Sequence, residues 1–405
     1  MLISQPKHAP WTPQQKRIAL TSFLGWSLDA FDFFLMVFML KDIAHDFGTD
    51  IAKVSIAITL TLAARPVGAF LFGRIADRWG RRPALMINIS AFSLLEFSCG
   101  FAPNLTVLLI LRTLYGIAMG GEWGVGAALL MESIPVRSRG LMSGILQSGY
   151  SSGYLFASIA FASVYSFLGW RGMFMLGVLP ALLVLYIRRK IPESEPWQTA
   201  RTKPKTGAVN LIKRQWKLVL YTVVLMTAFN FFSHGSQDLY PTFLQVQRQL
   251  NHTLVGSIAI IYNIGAIIGA IAFGLLSEHI GRRHTIILAA LCALPLVPLW
   301  VFSSHLIWLS LGAFFLQFCV QGAWGTVPAH LNELFPGEIR ATAPGLVYQI
   351  GNLIASINAP MQVSLANYFH GRYDYALALT IGVVAIILIV LAIFGPERRN
   401  VEMVI

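Results

Sequence analysis

Gly73-Arg74-Ile75-Ala76-Asp77-Arg78-Trp79-Gly80-Arg81-Arg82 is answered 201 positions later by Gly274-Leu275-Leu276-Ser277-Glu278-His279-Ile280-Gly281-Arg282-Arg283. Gly121-Glu122-Trp123-Gly124 returns at the same offset as Gly322-Ala323-Trp324-Gly325. Glu132, Pro135 and Arg139 return as Glu333, Pro336 and Arg340. One spacing shared by three separated segments marks a chain built as two copies of one unit.

The sequence between these segments is apolar. Of 405 residues, 56% are hydrophobic and 12% charged, about half the charge content of an ordinary soluble domain. Blocks near the ~20 residues needed to cross a ~30 Å hydrocarbon core predict spans at roughly 18–40, 54–73, 83–101, 106–130, 139–162, 169–190, 218–242, 254–276, 284–302, 306–329, 341–366 and 373–395. The expected fold is an all-α membrane protein with 12 transmembrane helices in two six-helix bundles, residues 1–190 and 217–405. A Pro-, Lys- and Arg-rich linker at 191–216 joins them.

The net charge of +12 raises the question of nucleic acid, and the positions of the charges answer it. With the twelve spans threaded, 23 of the 30 Lys and Arg residues fall on one side, Lys7, Lys16 and Arg17 among them, and only Lys41, Lys53, Arg171, Arg248 and Arg372 on the other. By the positive-inside rule both termini and the linker lie in the cytoplasm, in a cell inner membrane. The excess is a topology signal and requires no nucleic acid. Cys99, Cys292 and Cys319 sit inside apolar spans, so no disulfide framework is implied. The first 17 residues are polar and Pro-containing and show no cleavable signal pattern.

Two six-span halves starting on the same side form a parallel repeat. The Gly-x-x-x-Asp/Glu-x-x-Gly-Arg-Arg loops resemble the signature loop of the major facilitator superfamily and its copy in the second half. Pro192-Glu193-Ser194 with Trp197, and Arg112-x-x-x-Gly116-x-x-x-Gly120-Gly121-Glu122-Trp123, resemble that superfamily's sixth- and fourth-span motifs. A carboxylate near a helix end can meet another helix's N-terminal dipole and nearby guanidinium groups. Gly73, Asp77, Gly80, Arg81, Glu132 and Arg139, with Glu278, Arg282, Glu333 and Arg340, are therefore expected to form a latch that makes and breaks as the halves move. For Arg81 and Arg82 a purely topological role stands beside that reading.

Ionisable groups within spans cost about 2.5–3.5 kcal/mol each on insertion scales, which makes each a functional candidate. Asn230, Ser233, His234, Gln237 and Asp238 fall on one helical face of span 7. His234 and Asp238, four residues apart, are neighbours there, and a His beside a carboxylate can take up and release protons. Asp29 and Asp32 lie in span 1, Arg65 in span 2, Glu96 in span 3, and Arg112 with Glu122 in span 4. Arg65 can hold a substrate carboxylate through a bidentate pair or be a structural partner of Asp29 or Asp32. Gln349, Asn352 and Ser356 share a face of span 11. Gln147, Tyr150, Ser151, Tyr154 and Ser158 share one in span 5, where Gln147 is the preferred contact and the others suit packing.

Asn230, Ser233, His234, Ser236, Gln237, Asp238 and Thr242 also resemble the seventh-span signature of the lactate permease branch of the sialate:H⁺ symporter family, and Trp26-Ser-Leu-Asp29-Ala-Phe-Asp32 resembles its first span. That resemblance implies substrate contacts at Arg65, Gln349 and Asn352, and superfamily likeness implies a part in proton coupling for Arg112. Asp29 and Asn230 are equivalent under the repeat. The expected function is proton-coupled symport of a small monocarboxylate, lactate first and pyruvate or acetate next, by a monomer in the bilayer. Substrate contacts are expected at Arg65, Asn230, Gln349, Asn352, Gln147 and Gln237, and proton coupling at His234, Asp238, Asp29, Asp32 and Arg112. Alternatives are a sialic acid or dicarboxylate symporter of the same fold, or a transporter-like receptor. No Gly-x-x-x-x-Gly-Lys-Ser/Thr loop or Cys/His ligand spacing occurs, so neither enzyme, cofactor nor metal is expected.

Overall fold

The computed structural model describes residues 11–49, 51–194, 197–198 and 208–399. Lys7 and much of the expected linker lie outside the described residues, as does the end of the chain beyond 399. Seventeen helices run through the described residues in chain order. In the first half these are α1 (Pro13–Asp46), α2 (Ile51–Trp79), α3 (Arg81–Cys99), α4 (Leu105–Ser133), α5 (Arg139–Met175) and α6 (Leu179–Lys190). After α7 (Ala208–Arg214) the second half follows with α8 (Trp216–Gln237), α9 (Tyr240–Val246), α10 (His252–Ile280), α11 (Arg282–Ala293) and α12 (Val297–Val301). It closes with α13 (Leu306–Gly325), α14 (Val327–Leu334), α15 (Thr342–Ala355), α16 (Asn358–Tyr368) and α17 (Tyr373–Phe394). The described residues contain no strand.

Eight segments are long and apolar enough to cross a membrane by length and composition, and they match eight of the expected spans. The other four depart for readable reasons. α3 carries Asn88, Ser93 and Glu96, all buried. The fifth and sixth spans run on through a bend at Gly169, whose φ of 57° belongs to a conformation only Gly adopts without strain. Span 11 breaks between α15 and α16, two residues before Pro360. Expected span 7 is likewise not one helix, because Asp238 and Leu239 separate α8 from α9 ahead of Pro241.

Packing follows the repeat. α2 lies along α4 in the first half and α10 along α13 in the second, while across the halves α2 meets α15 and α10 meets α5. The α2–α4 crossing depends on missing side chains: a Cβ on Gly116 would sit 2.2 Å from the Thr61 carbonyl oxygen, and one on Gly120 2.0 Å from that of Arg65. These glycines let the two backbones touch and fix the depth of Arg65. Outward-facing Ile386, Val390 and Phe394 are exposed, as lipid-facing positions should be.

Candidate functional site

Between the halves lies a cavity of about 280 Å³. Phe33 and Phe34 of α1, Ile58 and Leu62 of α2, and Tyr150, Ser151 and Tyr154 of α5 line one side. His234, Gln237 and Asp238 at the end of α8, Pro241 of α9, and Tyr262 and Asn263 of α10 line the other. The break after α8 leaves Asp238 at the helix end, where its carboxylate faces His234 Nδ1 at 3.1 Å. The other ring nitrogen, Nε2, faces Asn352 Oδ1 at 3.1 Å. Gln237 donates to Gln317 Oε1 at 3.0 Å. Three members of the expected span-7 stripe thus reach the cavity. Its other two do not line the cavity: Asn230 donates to its own helix at Met226 O (2.8 Å), and Ser233 accepts from Gln321 (3.0 Å).

The remaining expected contacts form a layer just beneath. Leu62 is followed at i+3 by Arg65, Phe33 is preceded at i−4 by Asp29, Ser151 by Gln147 and His234 by Asn230. On four helices the polar residue therefore sits about one turn, ~5 Å, deeper than a cavity wall and on the same face. Arg65 is buried, with Nη2 3.9 Å from Asp29 Oδ2, so the ion pair with Asp29 is real but long. Its Nε and Nη2 have no hydrogen-bond partner among the described residues, nor does either amide atom of Gln349. Gln147 accepts from Trp123 Nε1 at 3.2 Å, which ties it to α4 instead.

On the face that carries the basic loops the halves are latched. Asp77 accepts from the backbone N–H groups of Ala341 (3.3 Å) and Thr342 (3.2 Å) and from the Thr342 hydroxyl, at the N-terminus of α15. Glu278, its repeat equivalent, accepts from Leu141 N (2.8 Å) near the start of α5. Arg81 holds Glu132 through two nitrogens (3.2 and 2.9 Å) and Asp77 through a third (2.8 Å). Arg282 holds Glu333 in the same fork (3.2 and 3.0 Å). Arg340 reaches across to Glu132 at 3.5 Å; burial pulls its guanidinium below the usual value, and Glu132 opposes that pull. Arg139 and Arg340 donate from Nε to Met131 O (3.1 Å) and Asn332 O (3.2 Å), equivalent carbonyls under the repeat. Gly73 lets α2 reach α15, since a Cβ there would lie 2.6 Å from Thr342 Cα. Gly80 bends the loop at φ 119°.

The Major Facilitator Superfamily sequence model matches residues 22–250 and 223–402, nearly the whole described chain. The chain belongs to the Major Facilitator Superfamily. It is 31% identical over 392 residues to the sialic acid transporter NanX of Escherichia coli (strain K12), covering 95% of this chain and 94% of that one. It is 31% identical over 408 residues to a probable 4-methylmuconolactone transporter of Cupriavidus pinatubonensis, covering 96% and 92%. The solved proton:xylose symporter XylE superposes with a TM-score of 0.79 at 18% identity over 95% of this chain and 96% of that one, which establishes the fold. The chain is thus a multi-pass membrane protein of a transporter superfamily.

Within this major facilitator fold, the first half keeps its own buried charges. Arg112 pairs with Glu96 and lies 4.2 Å over the Tyr115 ring, all of it inaccessible to solvent. Asp29 and Asp32 are fully buried and none of their carboxylate oxygens has a hydrogen-bond partner among the described residues. Glu122 is buried beside Gly25, whose Cβ would lie 2.5 Å from Oε1.

Sequence reasoning missed the matching second-half layer. Gln317 donates to Ser236 (2.8 Å), Gln362 donates to the Gly235 carbonyl (2.8 Å), and Asn358 is wholly buried. Single amides in apolar spans give no periodic signal, and only the fold gathers them. It also missed Tyr348, whose ring lies 4.8 Å from Trp123 and 5.4 Å from Trp324, two tryptophans equivalent under the repeat.

Proposed function

We propose that the protein is a proton-coupled symporter of a small organic monocarboxylate working by alternating access. Its halves, 1–190 and 217–405, rock about a cytoplasmic linker at 191–216. The reading rests chiefly on one observation: Arg65 is buried about one turn beneath an inter-half cavity, and its Nε and Nη2 have no hydrogen-bond partner among the described residues. A buried guanidinium with free donors is costly, and an anionic head held by two of its nitrogens relieves that cost. Lactate, then pyruvate or acetate, is what the span-7 signature suggests. The relatives named for sialic acid and a muconolactone support the wider class of organic acids.

The His234 geometry supplies a coupling step. With a proton on both ring nitrogens, His234 donates to Asp238 and to Asn352 Oδ1, and the Asn352 amide group is left free to donate toward the substrate head. When the ring loses a proton, the amide turns to satisfy the bare nitrogen, and the layer loses that donor. Proton and anion then bind together and leave together. Asp29, Asp32, Glu96 and Glu122 outnumber Arg65 and Arg112 at mid-depth in the first half, so protons there also belong to the charge balance. The latched basic face is taken as cytoplasmic in an inner membrane, with the cavity outside it. Purified protein in liposomes with an imposed inward proton gradient should accumulate labelled monocarboxylate above equilibrium. Equilibration without accumulation would leave a uniporter, and no uptake of any acid would remove the transport reading.

A further inference from the structure

We propose that the cavity above the polar layer selects a flat, ring-sized acyl body, so that aromatic or comparably planar unsaturated monocarboxylates are preferred over three-carbon acids. This rests on the carboxylate reading of the same site and commits it to a substrate class.

Size argues first. The cavity's 280 Å³ is several times the ~30 Å³ share of one water, room for a ring. A carboxylate seated on Arg65 lies about one turn, ~5 Å, below the cavity walls, so its body is what enters the cavity. Lactate brings three atoms beyond its carboxylate and leaves the space largely unfilled. A benzoate-like acid brings six, in a plane.

Wall chemistry argues second. Phe34 is the hub of the first-half wall, with ring centroids 4.4 Å from Tyr154 and 5.3 Å from Tyr150, both edge-on. Tyr150 in turn stacks on Trp26 at 5.7 Å and 28°, which fixes the orientation of its ring. Pro241 and Tyr262 face this wall from the second half. Offset or edge-on aromatic contact suits a planar π body.

The test compares benzoate, cyclohexanecarboxylate (equal in atom count but puckered) and lactate. Binding to the purified protein is measured by calorimetry, and uptake of each labelled acid by proteoliposomes. We expect benzoate to bind at least tenfold tighter than either comparator. Tyr154→Leu and Phe34→Leu should cut the benzoate-over-lactate ratio at least tenfold, while Tyr154→Phe, which keeps the ring, should hold it. Lactate binding as well as benzoate, or a ratio indifferent to both Leu variants in monodisperse protein, overturns the proposal and leaves the symporter reading standing. Ring-dependent benzoate binding without proton-driven accumulation does the reverse. No benzoate binding at all overturns the proposal outright.

Discussion

In the proposed cycle Arg65 and Asp238 divide the work at the scale of single residues. Among the described residues, Nε and Nη2 of Arg65 have no hydrogen-bond partner, whereas the Asp238 carboxylate faces the His234 ring at the cavity edge. Replacing Arg65 with Ala should weaken saturable carboxylate binding at least ~30-fold, since losing a buried charged partner costs about 2–5 kcal/mol. Arg65→Lys should recover little, because an ammonium lacks the planar fork. Asp238→Asn should leave counterflow exchange intact and stop pH-driven accumulation in liposomes; intact accumulation would place the proton elsewhere. His234, Asp238, Gln237 and Arg65 were legible in the sequence because ionisable or amide side chains stand out against apolar spans. Ser233 and Asn230 obeyed the same periodicity and still do not line the cavity, since Asn230 lies one turn deeper and Ser233 bonds Gln321. Gln317, Gln362 and Asn358 carried no pattern at all.

Pairs of helices carry the next level. Arg112 of α4 and Glu96 of α3 form a dry ion pair, and removing one partner of such a pair costs about 3–5 kcal/mol. Arg112→Gln should therefore lower the melting temperature of detergent-purified protein more than Arg112→Gln with Glu96→Gln together. If transport in the stable double variant keeps its proton dependence, Arg112 serves architecture. At the other end of the fold, Asp77 caps α15 across the halves with charge-assisted bonds. Asp77→Asn should weaken that closure by about 1–2 kcal/mol, a five- to thirtyfold shift in population. Thiol labelling of an Ile58→Cys reporter in the cavity should slow accordingly. The latch was readable as a motif because its residues repeat at a fixed offset. The breaks after Gln237 and Ala355 were not, because a proline in the first turn of the next helix permits a break without requiring it.

For the molecule as a whole, the closed basic face and the cavity beyond it stand as one end of the rocking cycle proposed above. Arg78 and His279 are exposed, equivalent under the repeat, and sit on opposite halves of that face. With Cys99, Cys292 and Cys319 replaced, spin labels at Arg78→Cys and His279→Cys should separate when substrate and acid are supplied together, and stay close with either alone. A distance unmoved by both together would sink the rocking-bundle account. The repeat is faithful in backbone and latch but lopsided in chemistry. Asp29, Asp32, Arg65, Glu96, Arg112 and Glu122 all belong to the first half, whereas the second answers chiefly with amides. An electric field across the bilayer exerts force on fixed charge, about 2.3 kcal/mol per elementary charge per 100 mV. In the proposed cycle, whatever charge Asp29, Asp32, Glu96 and Glu122 leave unbalanced sits in the first bundle, so membrane voltage acts mainly there and the second is the electrically quiet partner.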